Sequence, residues 1–180
     1  MRTFVVLYIT RGLGQSLSVS SAVLATVAAG YVVAALVAGP LGDRLGLARV
    51  MLWASVVNGA GLAVASVAQQ WHDWHYGLVF PVAIAGGTVM TLSWALLFKL
   101  MPGEDRGAIS GLATTTKGLG LLLGPLVAGV LIDVLEPHLD ATEGYQVLWP
   151  FCALLVVAAI PIVASLVRVE PKGAPQPELG

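Results

Sequence analysis

Charge is the scarcest commodity in this sequence: Lys and Arg number 9 and Asp and Glu 10, so 11% of residues are charged and the net charge is −1. A soluble domain carries about a quarter. With 57% hydrophobic residues and a mean hydropathy of +0.87, a chain of this size cannot cover its own apolar surface, and the bilayer has to act as solvent. Clustered Lys and Arg are missing, which removes nucleic acid as a partner, because binding phosphates needs such a patch. One cysteine, Cys152, excludes an internal disulfide and reads as a packing residue in an apolar run. A Ser-His-Asp nucleophile pattern and a phosphate-binding glycine loop are also lacking. The sequence therefore points away from an enzyme and from an ATP-driven pump, and it implies no cofactor.

Five apolar runs are long enough to cross a hydrocarbon core of roughly 30 Å. Their approximate limits are residues 19–38, 50–68, 78–100, 107–135 and 145–167, giving a five-helix transmembrane bundle over residues 19–168. The opening stretch to Thr10 is too short to span and is broken at Arg11. It reads as the end of a truncated transmembrane helix with its outer turn, over residues 1–18, rather than as a signal peptide. The end, residues 169–180 with Pro171, Pro175 and Pro177, reads as a disordered tail. Ser20, Ala25, Ala28 and Gly30 in the first run are small enough for helices to approach closely in lipid. Trp71, Trp74 and Tyr76 after the second run suit an interfacial belt.

The few charges are arranged asymmetrically. Arg44 and Arg49, then Lys99 and Arg106, then Arg168 and Lys172 fall on one side if the spans alternate, whereas the opposite turns hold Asp73, Glu136, Asp140 and Glu143 against Arg11. By the positive-inside rule the first group is cytoplasmic, and so is the C-terminus, in a multi-pass plasma or inner membrane protein.

The charged break between the first two spans contains Gly39-x-x-Gly42-Asp43-Arg44-x-Gly46-x-x-Arg49. It resembles the loop signature of the major facilitator superfamily, which joins the second and third helices of each six-helix half. The resemblance implies an all-α polytopic helix bundle, half of a 12-helix fold. It also implies a latch in which Asp43, Arg44 and Arg49 hold one transport state closed, while Gly39, Gly42 and Gly46 permit the tight turn. Leu47 and Ala48 depart from the family's usual basic run. The next turn on the same side, Glu104, Asp105 and Arg106, is the expected partner of the latch.

A second match lies in the fourth span, where Gly111, Gly120, Gly124-Pro125 and Ala128-Gly129 resemble the glycine-proline signature of the fifth helix of a half. Physically, such glycines give a flat helix face and the proline permits bending. The third span has no arginine before Lys99, and a polar tail follows the last span. Both features favour the C-terminal half. The resemblance covers nearly the whole chain, yet only about half of a typical carrier of this family. The implied function is secondary active transport, efflux or the carriage of a small solute, by rocker-switch alternating access. The missing N-terminal half or a second copy of the chain would then supply the other wall.

Lys117 lies about ten residues beyond Arg106, roughly 15 Å into the bilayer at 1.5 Å per residue, too deep for easy snorkelling. An ionisable group at that depth is a functional candidate by default. Ser110, Thr114, Gly120 and Gly124 share its helical face, giving a partly polar stripe. Thr88 and Trp94, with Asn58, Thr91 and Trp53, are weaker candidates to line a path, since isolated polar or aromatic residues in a span usually serve packing. Asp133 is the one carboxylate inside a span, near its outer end.

Two other classes fit parts of the pattern. A self-associating small membrane protein, or an interaction subunit without transport of its own, would use the same small-residue faces. A membrane metalloenzyme would need His72, Asp73 and His75 to converge with His138 and Asp140, and nothing in the sequence brings those two turns together. No metal site is expected.

Overall fold

The computed structural model of the protein describes residues 2–67, 72–102, 104–139 and 142–170, with side chains from residue 5 onward. Trp71, Gly103, Asp140 and the tail from Pro171 lie outside the described residues. Among the described residues every regular element is helical. A short helix α1 (Arg2–Leu7) runs into one π-helical turn, Tyr8–Gly12, and is followed by five long helices: α2 (Leu17–Leu45), α3 (Leu47–Ala65), α4 (His75–Leu100), α5 (Arg106–Leu135) and α6 (Leu148–Val169). All five are long and apolar enough to cross a membrane. This is an all-α polytopic bundle.

The first break is shorter than the sequence suggests. The sequence reads Gly39 to Arg49 as a turn, but α2 continues to Leu45 with Pro40 inside it, α3 starts at Leu47, and only Gly46 separates them. At 29 residues α2 is about 43 Å long, so its last turns overrun a roughly 30 Å core and carry Asp43 and Arg44 beyond it. Gly46 makes the reversal at φ +93°, a conformation that L side chains rarely adopt. Ser16 opens α2 at the other end, its hydroxyl accepting from the Val19 amide.

Glycines decide how closely the helices meet. Where α2 crosses α4, a Cβ on Gly30 would lie 2.7 Å from the Ala83 Cβ and 3.2 Å from the Ile84 nitrogen, and one on Gly87 would lie 2.8 Å from the Ala34 Cβ. Gly61 of α3 is closed in the same way by Val82. With little hydrophobic drive between helices in lipid, such backbone approach is what gains dispersion energy. Toward the end bearing Arg44 and Lys99, a core of Ala38, Ala48, Met51, Leu92, Leu96 and Val163 joins α2, α3, α4 and α6. At the opposite end Tyr8 and Ile9 are buried with Val23, and Tyr8 meets Trp149 edge-on at 5.2 Å.

Helix α5 is held differently. Its buried residues are Ala128 and Ile132, which pack on Val147 and Leu148 near the start of α6. Gly144, at φ +76°, lets that turn approach the Ile132 carbonyl. The rest of α5 stands along the edge of the bundle with its side chains exposed or half-exposed.

Candidate functional site

Two places concentrate chemistry: the basic end around Gly46, and the contact that Lys117 of α5 makes with Trp94 of α4. Helix α3 begins directly after Gly46, which has no side chain to cap it, so its first amides need acceptors from elsewhere. Glu170, just past the end of α6, supplies them. Its Oε1 accepts from the Leu47 amide at 3.0 Å and its Oε2 from the Ala48 amide at 2.9 Å. The Lys99 ammonium, in the last turn of α4, donates to Oε1 at 2.7 Å. A carboxylate at a helix N-terminus also meets the positive end of the helix dipole.

Gly46 is thus required twice, for its backbone angle and because a Cβ there would stand 3.3 Å from Glu170 Oε2. The Glu170 side chain is 7% exposed. Desolvation pushes its carboxyl up, but the Lys99 ammonium and the Ala48 and Leu47 amides outweigh that and hold it below the ordinary value of 4.5.

The residues read from the sequence as a latch are not the ones that make these contacts. Asp43, Arg44 and Arg49 are exposed, as are Glu104, Asp105 and Arg106. The ion pair found among the described residues is Lys99 with Glu170. Glu170 escaped the sequence reading because it lies 122 residues from Ala48 and borders the polar tail. The available signal was a carboxylate directly following the last span on the basic side.

Between α4 and α5, two residues that the sequence offers as separate candidates meet. The Lys117 ammonium sits over the Trp94 ring, 5.6 Å from its centroid. Trp94 in turn lies 6.1 Å from Phe98, one turn along α4. Side chains lean toward the N-terminus of their own helix, so Trp94 leans away from the basic end while Lys117 leans back toward it. That opposed lean brings together residues whose backbones differ in depth by about 7 Å, six residues from the end of α4 and eleven from the start of α5. Such a contact contributes about 0.5–2 kcal/mol. A lysine ionised near the bilayer centre costs about 2.5–3.5 kcal/mol on insertion scales. The ring therefore offsets only part of that cost.

The flanking hydroxyls are committed to their own helix: Ser110 donates to the Gly107 carbonyl at 3.1 Å and Thr114 to the Ser110 carbonyl at 2.8 Å. Thr88 is buried, two turns of α4 from Trp94 on the side away from Lys99. A Cβ at Gly111, Gly120, Gly124 or Gly129 would meet nothing within 4 Å, and Pro125 sits within this open run. Nearer mid-depth, the Asn58 amide and the Tyr31 hydroxyl face Gly86, at 3.6 and 3.8 Å from the place of its missing Cβ. Tyr31 was not singled out from the sequence, where an aromatic in a span reads as packing.

At the acidic end, His75 Nδ1 lies 2.7 Å from the His72 carbonyl, and the His75 ring stacks on Trp74 at 4.1 Å. These contacts tie the histidines to the start of α4. Among the described residues no three His, Cys, Asp or Glu side chains converge as a metal site would require.

Comparison with known proteins extends the reading beyond geometry. The family described as Major Facilitator Superfamily matches residues 2–179. The chain is 30% identical over 120 residues to Multidrug resistance protein 3 of Bacillus subtilis (strain 168), covering 63% of this chain and 23% of that protein. It is 30% identical over 132 residues to the Tetracycline resistance protein, class G, of Vibrio anguillarum, covering 72% and 31%. An uncharacterized MFS-type transporter of Mycobacterium tuberculosis (strain ATCC 25618 / H37Rv) is 32% identical over 124 residues, covering 69% and 18%. The matched stretch spans less than a third of the length of each of these relatives. No solved structure matches.

Proposed function

We propose that this chain, which belongs to the Major Facilitator Superfamily, supplies one wall of a secondary carrier that exports or takes up small solutes by alternating access. The family is one of membrane transporters rather than enzymes, and the chain is a multi-pass membrane protein. In this reading it is a C-terminal half, and the other wall comes from an N-terminal half or a second copy. Its basic end and C-terminus are cytoplasmic. The resistance names of two relatives favour efflux.

The observation that carries the reading is the state of α5. A membrane helix anchored at one end, with a bare glycine face and an ammonium beside it, is a surface suited to meeting something outside this chain. Lys117, Thr114, Trp94 and Thr88 line the solute path. Gly111, Gly120, Gly124, Pro125 and Gly129 let α5 pack and bend as the halves rock. The Glu170–Lys99 clasp makes α3, α4 and α6 move as one body, and Asp43, Arg44 and Arg49, with Glu104, Asp105 and Arg106, form the latch of one state.

The test is transport by the complete protein. Lys117→Met abolishes uptake or efflux while leaving membrane insertion intact; unchanged transport kinetics remove Lys117 from the path. Asp43→Arg shifts the inward–outward balance in state-specific labelling, and an unshifted balance reduces the turn to a determinant of topology.

A further inference from the structure

Among the described residues Lys117 has an aromatic face and no ion-pair partner. The ion pair found among the described residues lies elsewhere, at Lys99 and Glu170. Asp133, on the same helix, is 16 residues away, about 24 Å along the axis. The hydroxyls of Ser110, Thr114, Thr115 and Thr116 all donate to carbonyls within α5. They present only lone pairs outward, so the hydrogen-bond donors on this stretch belong to the Lys117 ammonium. On the facing helix Met90 and Phe98 are about half exposed beside Trp94.

We infer that the Lys117–Trp94 pair recognises the anionic head of an apolar organic acid, a carboxylate or sulfonate held by the ammonium with its hydrocarbon body along Trp94 and Phe98. The sign of the site carries the argument. An organic cation would meet a like charge deep in a membrane span, and a neutral solute would leave the ammonium uncompensated there. A carboxylate uses the N–H groups that the cation–π contact leaves free, and it removes the charge penalty that the indole only reduces. A free inorganic anion would satisfy the lysine and waste the aromatic wall. The apolar acid uses both.

The inference rests on the carrier reading and goes beyond it by naming the solute class. It is tested on the full-length protein in phosphatidylcholine nanodiscs, with 2-naphthoate as probe and 2-naphthylmethylammonium as its cationic counterpart. Lys117→Gln weakens 2-naphthoate binding by about tenfold or more, as loss of a charge-assisted contact does, whereas Lys117→Arg stays within about threefold. Trp94→Leu weakens it by roughly threefold. The cation binds more weakly than the acid to the wild type and gains in Lys117→Gln. Equal 2-naphthoate binding by wild type and Lys117→Gln overturns the inference, as does a wild-type preference for the cation. If transport is lost in Lys117→Met while 2-naphthoate binding is unchanged, the solute class falls and the carrier stands. If both persist, Lys117 has neither role.

Discussion

The crossing of α2 on α4 and the exposed length of α5 are built from the same materials, glycine and small apolar residues in helices long enough to span a membrane, yet they sit in opposite circumstances. At Gly30 and Gly87 the neighbouring helix lies so near that a methyl group has no place, because Ala83 and Ala34 are small enough to let the backbones close. At Gly111, Gly120, Gly124 and Gly129 the same absent methyl groups leave open space. A glycine pattern thus prepares a flat face without saying what meets it. The first pattern is spent on holding this chain together, and the second is left for a surface beyond it.

One substitution made in both regions breaks or sharpens that contrast most directly. Gly30→Ala forces a methyl against Ala83 and the Ile84 backbone, and should destabilise the bundle by about 2 kcal/mol despite alanine's better helix propensity. Gly120→Ala meets nothing within 4 Å and should be neutral or stabilising by up to about 1 kcal/mol in this chain. Thermal unfolding in detergent micelles measures both. Equal losses would mean that the α5 face is already occupied.

The clasp at Glu170 gives a smaller effect of a different kind. Glu170→Gln keeps the shape but loses the charged contacts to the Lys99 ammonium and the Leu47 and Ala48 amides, at a cost of about 1–2 kcal/mol after allowing for the 42% exposure of the lysine side chain. Because the carboxyl is held below its ordinary 4.5 in the folded protein, this stability is present above that value and fades as pH falls through the lowered one. Unfolding at neutral pH should therefore separate wild type from Glu170→Gln, and strong acid should bring them together. A gap that persists in acid would show that the carboxylate's charge is not what binds α6 to α3.

Much of this was legible in advance. The five spans follow from run length and scarcity of charge, and Lys117 stood out because an ammonium deep in a span is costly wherever it points. The extent of α2 was less legible, because Gly39, Pro40 and Gly42 signal a turn locally while the helix persists through them and reverses only at Gly46. Trp94 was visible as a candidate, but its pairing with Lys117 depends on how two helices lean across a turn. Glu170 had no local signature, since its partners are an unsatisfied helix start and a lysine on two other helices.

Composition and hydropathy by themselves determined the solvent this protein lives in, the number of its long helices and the end that gathers its positive charge, because those depend on each residue's own preference for water or lipid. Tertiary structure alone decided which glycines are closed and which are open, which carboxylate caps α3 and which ring faces Lys117. Those are relations between residues far apart in the chain, set by where whole helices come to rest against one another.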